Sequence, residues 1–203
     1  GKLKLTDPLG EYLSDLPQAW QPIQIHHLLA HQSGIKSYTE VPDYWETTRL
    51  DISREEILAL AADLPLQFTP GERYAYDNTG YYLLGLLIEA ASGQTYGDYL
   101  QQHIFAPLQM DRTRVNDPYE IVPGRATGYT VEEDKLRNAA YYSPSGTYSA
   151  GVLLSTVNDL GKFGASLYTD RLLTETSRQQ MWPPHLSQAQ KELKHHFSAG
   201  YSS

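Results

Sequence analysis

The 203 residues carry 40% hydrophobic side chains, enough to build a sizeable core in one domain or two small ones. With 16 Lys+Arg against 24 Asp+Glu the formal charge is -8, and no basic block is present, which excludes the electrostatic footprint of a nucleic-acid-binding or anionic-lipid-binding surface. No apolar run approaches the roughly 18 residues of a membrane span, and the lack of cysteine excludes disulfides, thiolate nucleophiles and cysteine zinc sites together.

Helix signals dominate, in chain order. The apolar run Ile25-His26-His27-Leu28-Leu29-Ala30 is helical in pattern, with Gly34 placed as its C-cap. Ser53-Arg54-Glu55-Glu56 is a capping box that opens a surface helix over residues 57–62, the hydroxyl and the carboxylate each satisfying an orphan backbone N–H. Residues 81–91 are apolar on nearly every face, which predicts a central helix buried all round, and Gly93 is placed to end it in the left-handed conformation. Thr95-Tyr96-Gly97-Asp98, Thr156-Val157-Asn158-Asp159 and Ser187-Gln188-Ala189-Gln190 resemble the same capping device ahead of further short helices. Strand signals are weak. The best are residues 125–131 and 148–154, both short and bounded by Gly or Pro, so any sheet is expected to be minor.

The segment richest in chemistry is Phe68-Thr69-Pro70-Gly71-Glu72-Arg73-Tyr74-Ala75-Tyr76-Asp77-Asn78-Thr79-Gly80-Tyr81-Tyr82. A Pro-Gly turn leads into alternating Tyr74 and Tyr76, and Asp77-Asn78 then stands at the mouth of the buried helix. A phenol presented from such a loop can shuttle a proton to and from a serine hydroxyl if a neighbouring ammonium lowers its pKa, and a carboxamide can both donate to and accept from a substrate amide. Local pattern also admits a plainer account, with Asn78 as the helix N-cap and Tyr76 as a packing residue. The two accounts can coexist. The 16 tyrosines against 4 phenylalanines suit a wet cleft, or half-buried packing.

That segment resembles the Tyr-x-Asn motif of the serine beta-lactamase and penicillin-binding-protein superfamily, nearest its class C and esterase-like branch. Three further blocks resemble the same family in the same order: Gly1-Lys2-Leu3-Lys4-Leu5-Thr6-Asp7-Pro8-Leu9, Ile25-His26-His27-Leu28-Leu29-Ala30-His31-Gln32-Ser33-Gly34-Ile35, and Ala150-Gly151-Val152-Leu153-Leu154-Ser155-Thr156-Val157-Asn158-Asp159-Leu160. The resemblance implies an α/β (α+β) beta-lactamase/transpeptidase-like fold, of which this chain supplies mostly the helical region with short strands. It implies a serine hydrolase that works through an acyl-enzyme on a beta-lactam, D-amino-acid peptide or ester, with no metal and no cofactor, on a small-molecule or peptide substrate, in the periplasm or outside the cell. Carried over from the motif, Tyr76 is the catalytic proton shuttle and Asn78 the substrate-binding amide.

The family's nucleophile lies in Ser-x-x-Lys on a helix, expected here upstream of Gly1, and its third motif, Lys-Thr-Gly or His-x-Gly, is expected after Ser203. Residues 1–203 are therefore expected to be a partial domain, incomplete at both ends and inactive in isolation. The alternative is a non-catalytic member of the same fold, a binding or regulatory module with a tyrosine-rich cleft for a peptide or sugar. Ser33-Gly34-Ile35-Lys36 also satisfies Ser-x-x-Lys as text, but Gly34 is expected to turn the chain there, so the two side chains would not share a helical face. His27 and His31 have the i, i+4 spacing of two ligands on one helix, without a Glu after His27 or an evident third ligand, and are read as packing and hydrogen-bonding residues at a helix end. His195-His196 is read as solvated surface.

Overall fold

Side-chain capping sets several of the helix starts. In the computed structural model, which describes residues 2–182, a 3-10 turn at Leu9–Glu11 is followed by α1 (Ile25–Leu29), a second turn at Tyr38–Glu40 and α2 (Pro42–Thr47), whose Pro42 occupies the first turn where its missing N–H costs nothing. α3 (Arg54–Ala62) opens on the expected capping box: the Glu56 N–H donates to Ser53 Oγ at 3.2 Å and the Ser53 N–H to Glu56 Oε2 at 2.9 Å. α4 (Asn78–Ser92) ends at Gly93 with φ 76°, the expected left-handed cap. α5 (Tyr96–Leu100), capped by Thr95, continues through a π turn at Gln101–Phe105 into α6 (Ala106–Leu108). β1 (Arg114–Val115), β2 (Tyr129–Glu132), β3 (Lys135–Asn138) and β4 (Leu153–Leu154) precede α7 (Val157–Ser166), capped by Thr156, and α8 (Glu175–Met181), capped by Thr174. The helix expected after Ser187 and the pair His195-His196 lie outside the described residues.

α4 is the centre of the packing. Its Leu83 and Leu87 join a cluster with Leu9, Trp20, Ile23, Leu28, Ile35 and Ala61, while its Tyr82 joins a second with Tyr38, Tyr44 and Ile57. Of residues 81–91, expected to be buried all round, only Ala90 is exposed. Each buried leucine or isoleucine contributes up to about 1.5–3 kcal/mol by leaving water. Gly85 lets the turn Tyr148–Ala150 lie directly on the helix, since a Cβ there would stand 2.2 Å from Ser149 Oγ. The Ser149 hydroxyl sits against the carbonyls of Tyr81 and Tyr82, 2.8 and 3.1 Å away.

That contact corrects the strand expected at 148–154. Residues 148–150 form a 3-10 turn held by Ser149, and only Leu153–Leu154 is extended, pairing antiparallel with Arg114–Val115. The strand expected at 125–131 likewise starts only at Tyr129, because the Arg125 N–H bonds back to the Val122 carbonyl at 3.2 Å around Gly124. β2 then pairs with β3 in a hairpin, Val131 opposite Leu136, closed by Glu133 and Asp134 at φ 51° and 60°.

Candidate active site

Two segments, residues 31–39 and 67–79, run alongside each other and build the site. The Gln67 N–H donates to the Gly34 carbonyl at 2.7 Å, the Gly71 N–H to the Gln32 carbonyl at 2.9 Å and the Ala75 N–H to the His31 carbonyl at 2.9 Å. At the head of α4 side chains take over. Thr79 Oγ1 donates to the Lys36 carbonyl at 2.8 Å and accepts from the Tyr38 N–H at 2.9 Å. The Asn78 N–H donates to Ser37 Oγ at 3.1 Å, and Asn78 Nδ2 donates to Thr39 Oγ1 at 3.0 Å. Ser33 Oγ donates to Asp77 Oδ2 at 2.8 Å.

Residues 76 and 77 point opposite ways from an extended backbone. Tyr76 is 59% exposed whereas Asp77 is 2% exposed. The phenol of Tyr76 is thus presented outward from a backbone fixed on both sides, and its ring lies 4.6 Å from the His31 ring, centroid to centroid. Asn78 is half-buried, with one of its amide donors committed to Thr39. Burial pushes the Asp77 carboxyl up to about 6, against the hydrogen bond from Ser33 and the amides of Gly80 and Thr79, which favour its charged form. Its second oxygen, Oδ1, is buried without a partner. Burial, with a smaller contribution from Tyr76, raises the neighbouring Tyr74 phenol.

Two local expectations are corrected, at Asn78 and Gly34, while Ser33-Gly34-Ile35-Lys36 and the two histidines are found as the sequence reading has them. Asn78 is not the N-cap of α4. Asp77 takes that position and Asn78 is the first helical residue, which leaves the carboxamide to Thr39. Gly34 does not cap α1, which ends at Leu29; its φ of 77° instead serves the close approach of the Phe68 carbonyl, 2.2 Å from where a Cβ would stand. Ser33 is 1% exposed and its hydroxyl is engaged by Asp77 and the Ile35 N–H, while Lys36 pairs with Glu40, so Ser33-Gly34-Ile35-Lys36 is a turn and not a nucleophile–base pair. His27 and His31 do not share a helical face, because His31 leaves the helix at φ 53°. Each Nδ1 faces a backbone N–H, that of Gln24 at 3.3 Å for His27 and that of Asp77 at 3.1 Å for His31. Among the described residues no three His, Asp or Glu side chains converge in metal-binding geometry, and no helix is long and apolar enough to cross a membrane.

Several tyrosines serve packing and not a cleft: Tyr38, Tyr44 and Tyr82 form a buried aromatic cluster against which Tyr148 packs. Sequence reading missed Ser37 and Thr39, the two hydroxyls that hold Asn78; polar residues just beyond a family block are their only signal. It also left Asp77 and His31 without a part in the site. The block at Asn158-Asp159 proves structural, as Asp159 accepts from the Arg112 N–H at 2.8 Å and the Thr113 hydroxyl at 3.0 Å, tying α7 to the loop before β1.

The family model described as Beta-lactamase matches residues 1–202. The chain belongs to the beta-lactamase family. Penicillin-binding protein 4* of Bacillus subtilis is 29% identical to it over 204 aligned residues, covering 91% of this chain and 44% of that protein. A penicillin-binding protein from Bacillus halodurans superimposes with a TM-score of 0.80 at 30% identity, covering 92% of this chain and 59% of that one. A D-stereospecific amidohydrolase from Streptomyces does so with a TM-score of 0.79 at 27% identity, covering 90% and 58%. This beta-lactamase-family chain has the beta-lactamase/transpeptidase-like fold, mixed helix and short strands, and its homologues are serine hydrolases. It spans about half the length of the curated relatives it matches.

Proposed function

We propose that the protein is a serine hydrolase of the class C and esterase-like branch that acylates a serine with a beta-lactam, D-amino-acid peptide or ester and then hydrolyses the acyl-enzyme. The observation that carries this reading is the pairing at the head of α4: Tyr76 is directed outward, while Asn78, two residues on, is held by Ser37 and Thr39. The likeness to penicillin-binding proteins and a D-stereospecific amidohydrolase supports an acyl substrate with a D-configured centre.

In this mechanism Tyr76 enters as a phenolate: the serine of the family's Ser-x-x-Lys, expected upstream of Gly1, attacks the carbonyl carbon as its proton passes to the Tyr76 oxygen. The tetrahedral adduct collapses as Tyr76 returns that proton to the leaving nitrogen or oxygen, leaving an ester on the serine. Water repeats the sequence, with Tyr76 taking its proton and delivering it to the departing serine. Asn78 donates to the substrate's amide carbonyl and so sets the acyl group in register.

A turnover screen of the full-length protein against p-nitrophenyl esters, D-Ala-D-Ala peptides and penicillins tests this. At least one class is expected to turn over through a covalent intermediate, with residues 1–203 alone inactive. A full-length protein that neither hydrolyses nor labels with any of them would contradict the reading and favour a binding module on the same fold.

A further inference from the structure

His31 straddles Tyr76. Its carbonyl accepts from the Ala75 N–H at 2.9 Å and its ring Nδ1 accepts from the Asp77 N–H at 3.1 Å, so a single residue holds the backbone N–H groups of the residues before and after Tyr76. The same ring lies 4.6 Å from the Tyr76 ring and stacks on Tyr81 at 4.7 Å with an interplanar angle of 19°. Tyr74 meets it edge-on at 5.7 Å. The backbone of His31 sits at φ 53°, a conformation that is costly outside glycine and persists where the surroundings enforce it.

We infer that His31 is a positioning residue for Tyr76, acting through a neutral imidazole with its proton on Nε2 so that Nδ1 accepts from the Asp77 N–H. The inference rests on the reading of Tyr76 as the proton shuttle. A tyrosine on an exposed loop has a backbone free to pivot; two hydrogen bonds and a ring contact remove that freedom before substrate arrives. Preorganisation of this kind acts on the chemical step, because a displacement of about 1 Å in a reacting group can cost roughly a hundredfold in rate.

The test compares two substitutions in the full-length protein with p-nitrophenyl acetate as probe. His31→Asn keeps an acceptor near the place of Nδ1 and tolerates the positive φ, whereas His31→Phe keeps a ring and discards the acceptor. His31→Phe is expected to lose roughly tenfold to a hundredfold in kcat with KM changed less than about threefold, and His31→Asn to recover most of that loss. Nitrogen NMR of the wild type is expected to find Nδ1 unprotonated and Nε2 protonated, a readout that needs no variant to fold. An active wild type with an equally active His31→Phe, a His31→Asn no better than His31→Phe, or a proton on Nδ1 would each overturn the inference. Failure of the underlying Tyr76 reading looks different, as an inert wild type whose imidazole still carries its proton on Nε2.

Discussion

Ser33 and Asp77, 44 residues apart in sequence, meet in a buried hydrogen bond of 2.8 Å from the serine hydroxyl to carboxylate Oδ2. The bond fastens the turn after α1 to the head of α4, and the alternation of the extended backbone then places Tyr76 outward. Asp77 is held in this role at an electrostatic cost, since burial pushes its carboxyl up to about 6 despite the hydrogen bonds it accepts. A carboxyl group that would prefer water is thus kept out of it at the head of α4.

The pH dependence of stability follows from that cost. A carboxyl raised from the ordinary 3.8 to about 6 binds more protons folded than unfolded, so its contribution is least unfavourable below pH 4 and turns progressively against folding up to about pH 6. Asp77→Asn removes the titration while keeping the size and an acceptor for Ser33. Relative to wild type, the variant is expected to gain on the order of 1–3 kcal/mol in unfolding free energy between pH 4 and pH 7.5. Urea unfolding of both proteins at the two pH values checks it; parallel pH curves would contradict it.

Ser33→Ala strips the buried carboxylate of its hydroxyl donor. A loss of about 1–3 kcal/mol at neutral pH is expected from the unfolding midpoint. Covalent labelling of the full-length protein by a fluorescent penicillin should survive the change, since this serine is buried and engaged. A well-folded Ser33→Ala protein that no longer labels would restore Ser33 as the nucleophile.

Gly34 and Gly93 make a controlled pair, because both lie at nearly the same φ, 77° and 76°. At Gly93 an added Cβ meets nothing within 4 Å, so Gly93→Ala should cost only the backbone strain, about 1 kcal/mol. At Gly34 the Cβ would stand 2.2 Å from the Phe68 carbonyl oxygen, in backbone that cannot swing aside. Gly34→Ala is expected to cost at least about 2 kcal/mol more than Gly93→Ala, by comparison of melting curves. Equal costs would mean that the two segments do not run as closely as described.

The sequence makes these elements legible unequally, for physical reasons. Ser53, Thr95, Thr156 and Gly93 announce helix ends because each does the capping with its own side chain or backbone, within four residues of the helix it serves. β2 is expected in part, within residues 125–131, but β3 and the hairpin pairing are hidden because neither strand carries a buried residue, which weakens the alternation that marks a strand, and the turn is Glu133-Asp134 in place of the usual Asn-Gly. Gly34 misleads because its positive φ serves a contact with Phe68, a partner 34 residues away that local pattern cannot reveal. Tyr76 and Asn78 are readable only through family resemblance. Ser37, Thr39, Asp77 and His31, which hold them, become visible only once the chain has folded back on itself.

The measurement closest to the central claim is the rate of acyl-enzyme formation in the full-length protein, wild type against Tyr76→Phe, followed with a fluorescent penicillin or a p-nitrophenyl ester. Losing the phenolic oxygen that relays the serine proton is expected to slow acylation by roughly a hundredfold or more at unchanged fold and stability. An acylation rate in Tyr76→Phe within about twofold of wild type would contradict the assignment of that oxygen to proton transfer.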